Sequence, residues 1–305
     1  MALPNLSPSD FVAALTVGAR KDFADAYAAI LAANPYEWMG LVKESASTHS
    51  SETHIFEKEG PKVRDITEDA MTYEGYADDD LVLTNREYGS FAVIKKAILD
   101  DDMNTNRFIA DKMANMAMDH VANMEDVFST LLTSTTEVSA DGETFYSNGH
   151  ASGDNLGNLA VTTADIATSV TNIQTAFTAM FGFTNGAGRY LKVRPNVIVV
   201  GNGDTARAWE QIIDSPLLPG STNNDANPFS SYNLTLVKLP QITSATAWYA
   251  FDTRHPYIKP FIYQNRQAPT VEIVENPLDF TYIAKSHERY KMGPGAWFLS
   301  YLGDE

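Results

Sequence analysis

The side chains able to do chemistry in this sequence are few and scattered. Six histidines occur, at positions 49, 54, 120, 150, 255 and 287, and there is no cysteine. Thiolate metal sites and disulfides are therefore excluded. His49 and His54 lie five residues apart in THSSETHIF, whose weak alternation suits an exposed or edge strand. An odd spacing in a strand puts two side chains on opposite faces, which argues against a metal pair. His120 falls at the edge of the apolar stripe of a long helical segment, where packing or hydrogen bonding explains an imidazole better than catalysis does. The acidic runs Asp78–Asp80 and Asp100–Asp102 lack the alternating oxygen ligands and glutamate of a calcium loop. They read as solvated surface and helix-terminal charge.

Gly201-Asn202-Gly203-Asp204 stands between an apolar strand pattern and a short helix, where a phosphate loop would sit. It has neither GxGxxG nor Gly-Lys-Ser/Thr, so it reads as a plain strand-to-helix turn. No GxSxG elbow and no HExxH is present. A hydrolase would have to use separated carboxylates such as Asp204 and Glu210, and the sequence does not place them together. No catalytic, cofactor-binding or metal-binding residue is assigned, no cofactor is expected, and the chain reads as a non-enzyme.

The elements behind these residues centre on 100–132. Ile109, Met113, Met116/Ala117, Val121, Met124, Val127/Phe128 and Leu131 recur at steps of three and four, one stripe of an α-helix. Asn104 or Thr105 can cap it, and Asp100–Asp102 put negative charge at its N-terminus. The expected helix covers about 102–133. Before it, Ser7-Pro8-Ser9-Asp10 opens a helical pattern to residue 34; Gly18 inside makes it either two short helices or one helical arm. Residues 58–92, charged and then rich in Tyr, Val and Thr, read as a two-stranded flap projecting from the body.

After the long helix, 136–160 is a turn-rich connector. Thr163-Ala164-Asp165 caps an amphipathic helix, 191–200 ends in a buried strand, and 204–213 is a short helix. Strands are expected at 233–239, 246–251, 259–264, 270–274, 279–286 and 296–302. This order makes an α+β chain.

The formal net charge is −17. It serves solubility, and it disfavours tight attachment to nucleic acid, because Lys and Arg supply that affinity. No apolar run is long enough to cross a bilayer, and the N-terminus lacks a signal-peptide pattern, so a soluble protein made in the cytoplasm is expected.

Several segments, in order, resemble the major head subunit of Mu-like tailed phages and prophages. Asn85-Arg86-Glu87-Tyr88 with Val93, Ile98 and Asp100–Asp102 is similar to the family's stretch before the spine helix. Asp141-Gly142, Phe145-Tyr146, His150 and Asn155-Leu156 resemble its Asp-Gly-x-x-Phe-Phe…His…Asn-Leu connector. Pro195, Val197–Val200 and Ala206 resemble its buried strand and following helix, although Gly201-Asn202-Gly203 stands where prolines are common. Lys259-Pro260-Phe261-Ile262-Tyr263-Gln264-x-Arg266-x-x-Pro269 is the most specific segment, followed by Arg289, Gly293, Gly295 and Trp297. Tyr290 replaces a glycine there, so the turn is expected to differ.

The resemblance implies the α+β Hong Kong 97-type capsid fold: an N-terminal arm (1–40), a P-domain (41–57 and 93–150, with 259–305 returning), an E-loop (58–92) and an A-domain (mostly 151–258). It implies a major capsid protein of a tailed double-stranded DNA phage, in hexamers and pentamers of an icosahedral head in the virion. Portal and scaffold proteins, cement or decoration proteins, and loose non-specific contact with packaged DNA are the implied partners, with no membrane. The alternative is a polyvalent binding or adhesin module presenting aromatic patches at Trp38, Trp248 and Trp297.

Overall fold

The computed structural model describes residues 8–33, 37–59, 77–97, 105–185, 188–219, 225–276, 278–279 and 281–304. Helix α1 (Pro8–Ala33) is continuous, so the two-helix alternative is not what forms. Gly18 is tolerated because α1 makes contacts on both sides of it: Ala19 and Phe23 are buried, and the Thr16 hydroxyl bonds back to Val12. The second helix, α2 (Thr105–Leu132), matches the expected spine and is about 42 Å long at ~1.5 Å per residue. The expected cap Asn104 and the charges Asp100–Asp102 lie outside the described residues, as does the flap segment 60–76.

Strands β1 (Val42–Ala46), β4 (Arg86–Lys95), β9 (Phe261–Asn276) and β10 (Thr281–Pro294) form a four-stranded sheet in the order β1-β9-β10-β4. Here β1 runs parallel to β9, and the other pairs are antiparallel. The upper half of the α2 stripe, Ile109, Met113, Met116 and Ala117, packs with Phe23 of α1 on Ile94, Val271, Ile273, Tyr282 and Ala284 of this sheet. Because β1 pairs only with the first five residues of β9, the rest of that strand has an open edge. Helix α1 covers it: Arg20 Nε donates to the Val271 carbonyl at 2.9 Å and the Thr16 hydroxyl to that of Ile273 at 3.4 Å. A covered edge cannot recruit a stray strand.

A five-stranded sheet has the order β5-β11-β8-β6-β7, from β5 (Leu156–Asn158), β6 (Val197–Val200), β7 (Thr235–Lys238), β8 (Trp248–Phe251) and β11 (Ser300–Asp304). Alternation along β6 and β8 sends Val199, Tyr249 and Phe251 to one side and Ile198, Val200, Trp248 and Ala250 to the other. The first set meets Met124, Phe128 and Leu131 from the lower half of α2. The second meets α3 (Ile166–Phe181) and α4 (Asp204–Asp214) through Ile173, Phe177, Met180 and Trp209. Asp165 caps α3 as expected, its carboxylate accepting the Thr168 N–H at 3.0 Å.

Three expected elements differ. Only β2 (Ser51–Glu59) and β3 (Ala77–Thr84) form the two-stranded flap, while 86–95 turns into the body sheet beside β10. The change falls at Asn85, where the side chain bonds the turn before β2 and ends the hairpin. The strands expected at 259–264 and 270–274 are one, since Pro269 sits on the open edge of β9 where no N–H is needed. As expected, 191–200 ends in a buried strand, Val197–Val200. In 296–302 a 3-10 turn, Trp297–Leu299, precedes β11, which pairs with β8 and not with the four-stranded sheet.

A Cβ at Gly18 meets nothing within 4 Å. Gly18→Ala is therefore expected to raise the unfolding free energy by about 0.5–1 kcal/mol, the helix-propensity gain, and chemical denaturation measures it.

Candidate functional site

The inward positions of β10 carry polar groups where an apolar face is the rule. Ser286, Glu288 and Tyr290 alternate into the interior, and His120 of α2 meets them. His120 Nδ1 lies 2.7 Å from Glu288 Oε1, and Nε2 lies 2.6 Å from the Ser286 hydroxyl. The connectivity hydroxyl–imidazole–carboxyl is that of an acyl-transfer triad. Its surroundings are not those of one. Ser286, His120 and Glu288 are 4%, 4% and 1% exposed. Phe23 of α1 stands edge-on against the imidazole with centroids 5.8 Å apart, and the Ser286 hydroxyl is shared with Ser90 of β4 at 2.9 Å. No substrate reaches this serine while α1 is seated. The group ties α1, α2, β4 and β10 together.

Tyrosines surround the same pair. Tyr290 stacks on Tyr88 at 4.6 Å, and its hydroxyl accepts from Asn123 Nδ2 of α2 at 2.9 Å. Burial, reinforced by the nearby Glu288, pushes the Tyr290 phenol well above its ordinary value. Where Tyr290 replaces a glycine, β10 continues through the position with register shifts at His287/Arg289 and Arg289/Tyr290.

A second polar cluster pins the root of the flap. Gln264 of β9, fully buried, accepts from or donates to three partners: His54 of β2 at 2.9 Å, the Leu83 carbonyl at 3.2 Å and Asn85 at 2.8 Å. Gly293 admits Leu83, since a Cβ there would lie 2.4 Å from its side chain. At the start of β2, the Glu52 carboxylate accepts the N–H groups of Thr48 and His49 and the Ser47 hydroxyl at 2.9–3.1 Å. Those donors hold its pKa down to about 2. His49 and His54 thus serve separate hydrogen bonds and form no metal pair.

The connector is a third joint. His150 Nδ1 lies 2.6 Å from Asp141 Oδ2, and its ring stacks flat on Trp297 at 3.9 Å. Burial pushes the Asp141 carboxyl up, but His150 and the Glu143 N–H outweigh it and the net shift is downward. Asn155, fully buried, donates to the carbonyls of Phe145 and Trp297 and to the Ser300 hydroxyl. The motif therefore fastens 141–155 to β11.

The remaining candidates are structural. Asp204 accepts from the N–H and hydroxyl of Thr163, while Glu210 pairs with Lys238, so the two carboxylates share no pocket. Gly201 is required by contact, for a Cβ would sit 2.4 Å from the Ile242 carbonyl. Trp38 stacks on Phe128 in the core, Trp248 is fully buried with its N–H on the Leu159 carbonyl, and Trp297 is covered by His150. The aromatic patches of an adhesin are thus absent at these three positions. Among the described residues no group of His, Cys, Asp and Glu could hold a metal ion, and no helix is long and apolar enough to cross a membrane.

Apolar side chains stand exposed at several places on the described surface, among them the flap and the adjoining strand β4. Ile55 and Val82 on the hairpin are 70% and 57% exposed, and Phe91 and Val93 on β4 are 76% and 58% exposed. Sequence reasoning placed the flap but missed this second face, whose signal was the alternation of Phe91 and Val93 with half-buried Ala92 and buried Ile94.

A long helix under a four-stranded sheet, a projecting hairpin and a second sheet flanked by helices define the Hong Kong 97-type capsid architecture. Similar solved structures are the procapsid of bacteriophage JBD30 (19% identity, 98% of this chain and 76% of that chain, TM-score 0.51) and the capsid of an empty GTA particle (13%, 88% and 90%, TM-score 0.57). The virus-like particle from Pyrococcus furiosus is a third (9%, 94% and 97%, TM-score 0.54). No curated protein sequence matches the chain. The phage capsid protein family matches residues 84–297, and the chain belongs to that family. It is a structural protein of the virion.

Two outcomes are expected. His120→Ala strands Glu288 in the interior, which costs about 3–5 kcal/mol, whereas the double variant His120→Leu/Glu288→Met loses less because no charge is orphaned; urea unfolding compares them. Because the Glu52 pKa is depressed on folding, its contribution holds above the ordinary carboxylate range and is lost as pH falls from about 4.5 to about 2. Protection factors of the β2 amides, measured against the intrinsic exchange rate at each pH, should fall over that interval, and Glu52→Gln should remove the step.

Proposed function

We infer that this chain is the major capsid subunit of a tailed phage, assembling as hexamers and pentamers into a closed head around double-stranded DNA. The observation that carries this is unburied surface. The subunit exposes 17075 Å², against about 12,700 Å² for a compact monomer of its mass. The excess includes a flap whose two strands have neither a third strand nor a helix beneath them, a form that is marginal alone. Contacts repeated between identical copies would bury it.

On this reading the arm is 1–40, the E-loop is carried by β2 and β3 in place of the expected 58–92, the P-domain is 41–50 and 85–150 with 259–294 returning, and the A-domain is mostly 151–258 with β11. Portal and scaffold proteins, and cement or decoration proteins, would be its partners in the head, and the Mu-like branch is the one the ordered motifs favour. The net charge of −17 suits a wall that holds DNA back without gripping it. Function is architecture and not turnover, which the sealed His120–Ser286 contact supports.

Removing residues 56–79 and joining Ile55 to Asp80 by Asn-Gly leaves the pinned root in place. The expected product is a folded subunit with native circular dichroism that builds no closed shells in negative-stain microscopy. Normal particles from it would show that the flap is no inter-subunit clamp.

A further inference from the structure

A cavity of about 230 Å³ opens between the end of α3 and the segment entering β6. Phe177, Phe181, Val193, Pro195 and Tyr232 line it, and Arg194 is its one charged lining residue. Phe177 and Phe181 stand four residues apart on α3 and so share a face. Phe177 is buried and floors the cavity, whereas Phe181, 59% exposed, stands at its mouth. The Tyr232 ring closes the far side, 5.0 Å from that of Phe177.

Arg194 is held ready at this cavity. Its guanidinium lies 4.3 Å over the Tyr232 ring, and Nη2 donates to the Ser231 carbonyl at 3.0 Å. Stacking and that bond fix the side chain, while the edge formed by Nε and Nη1 makes no hydrogen bond among the described residues. Asp252 accepts the Arg194 backbone N–H at 2.8 Å, but its carboxylate is already paired with Arg254 at 2.7 Å. The backbone beside both walls is also unusual. Lys192 (φ 55°) and Asn233 (φ 50°) are the two non-glycine residues of positive φ among the described residues, one just before Val193 and one just after Tyr232. Side chains adopt that region at a cost, and such costs gather at binding sites.

We propose that this cavity takes the C-terminal residue of a partner protein, its bulky apolar side chain among Phe177, Phe181 and Tyr232 and its carboxylate on Arg194. The volume lies below the ~300–1,000 Å³ of a drug-sized pocket and suits a single side chain. A guanidinium edge grips a carboxylate through two parallel hydrogen bonds, and a chain end carries both groups on one Cα, as in other sites that capture a terminal carboxylate. Because stacking on Tyr232 has already ordered Arg194, little freedom is lost on binding. A nucleic-acid phosphate would satisfy Arg194 and leave the apolar walls wet. An apolar group without charge would leave the guanidinium edge unused. The site goes beyond the shell reading and does not depend on it.

Ligand-detected NMR titration of the full chain tests it with the peptide Gly-Ser-Gly-Ser-Phe, the same peptide amidated at its C-terminus, and N-acetylphenylalanine. The free acid of the peptide should bind, and its amide should bind about tenfold or more weakly, the loss of one charge-assisted pairing. Arg194→Met should erase the preference for acid over amide while circular dichroism stays native. Phe181→Ser, at an exposed position that folding does not need, should weaken the acid by a similar factor and keeps the test open if Arg194→Met fails to fold. Equal binding of acid and amide, no binding of either, or binding unchanged in these variants would overturn the site. Binding of N-acetylphenylalanine without binding of the peptide would make it a pocket for a free small acid and overturn the chain-end assignment. A peptide that blocks the joining of subunits to one another would give the cavity to a second copy and overturn the partner assignment.

Discussion

An imidazole and a carboxyl that have both left water must satisfy each other, and that requirement fixes where the spine helix lies on the sheet. His120 sits where the upper apolar cluster of α2 gives way to the lower one, so the helix is registered by a polar contact between two greasy ones. Apolar packing alone is nondirectional and would tolerate a slide of one turn. The His120–Glu288–Ser286 chain does not tolerate it, because a displaced helix would bury two unpaired groups. Phe23 closes this layer from outside, which makes the seating of the N-terminal helix part of the same constraint.

The three polar joints divide the work. The His120 layer sets helix on sheet, Gln264 sets flap on sheet, and Asn155 with His150 sets the connector on the last strand. All lie within the subunit, and all are buried. What they leave outside is exposed apolar side chains on the hairpin and on β4. A subunit built this way is stiff at its joints and unfinished at its surface, which is what a repeating shell requires.

Much of this was legible in the residues. Period 3.6 placed α2 within a few residues of its observed ends, and Asp165 marked the start of α3 by its capping chemistry. The motifs of the connector and of 259–297 were visible, but their purpose was not. His150 and Asp141 look like chemistry in a list of residues, and only the stacking on Trp297 shows that they fasten a loop. His120 read as a packed histidine, which it is, yet its partners Ser286 and Glu288 lie more than 160 positions away. Their one local signal is polar side chains at the inward positions of β10. The junction at Asn85 was misplaced because β3 and β4 share one composition, and it is the hydrogen bonds of a single side chain that separate flap from body.

The central claim is that the flap and the outer sheet face become buried only when copies meet. Hydrogen–deuterium exchange on the free subunit and on the assembled particle measures this directly. The account predicts that amides of β2, β3 and β4 slow markedly on assembly while those in the middle of α2, already sealed, change little. Equal exchange of the two strands of the hairpin in both states would contradict it.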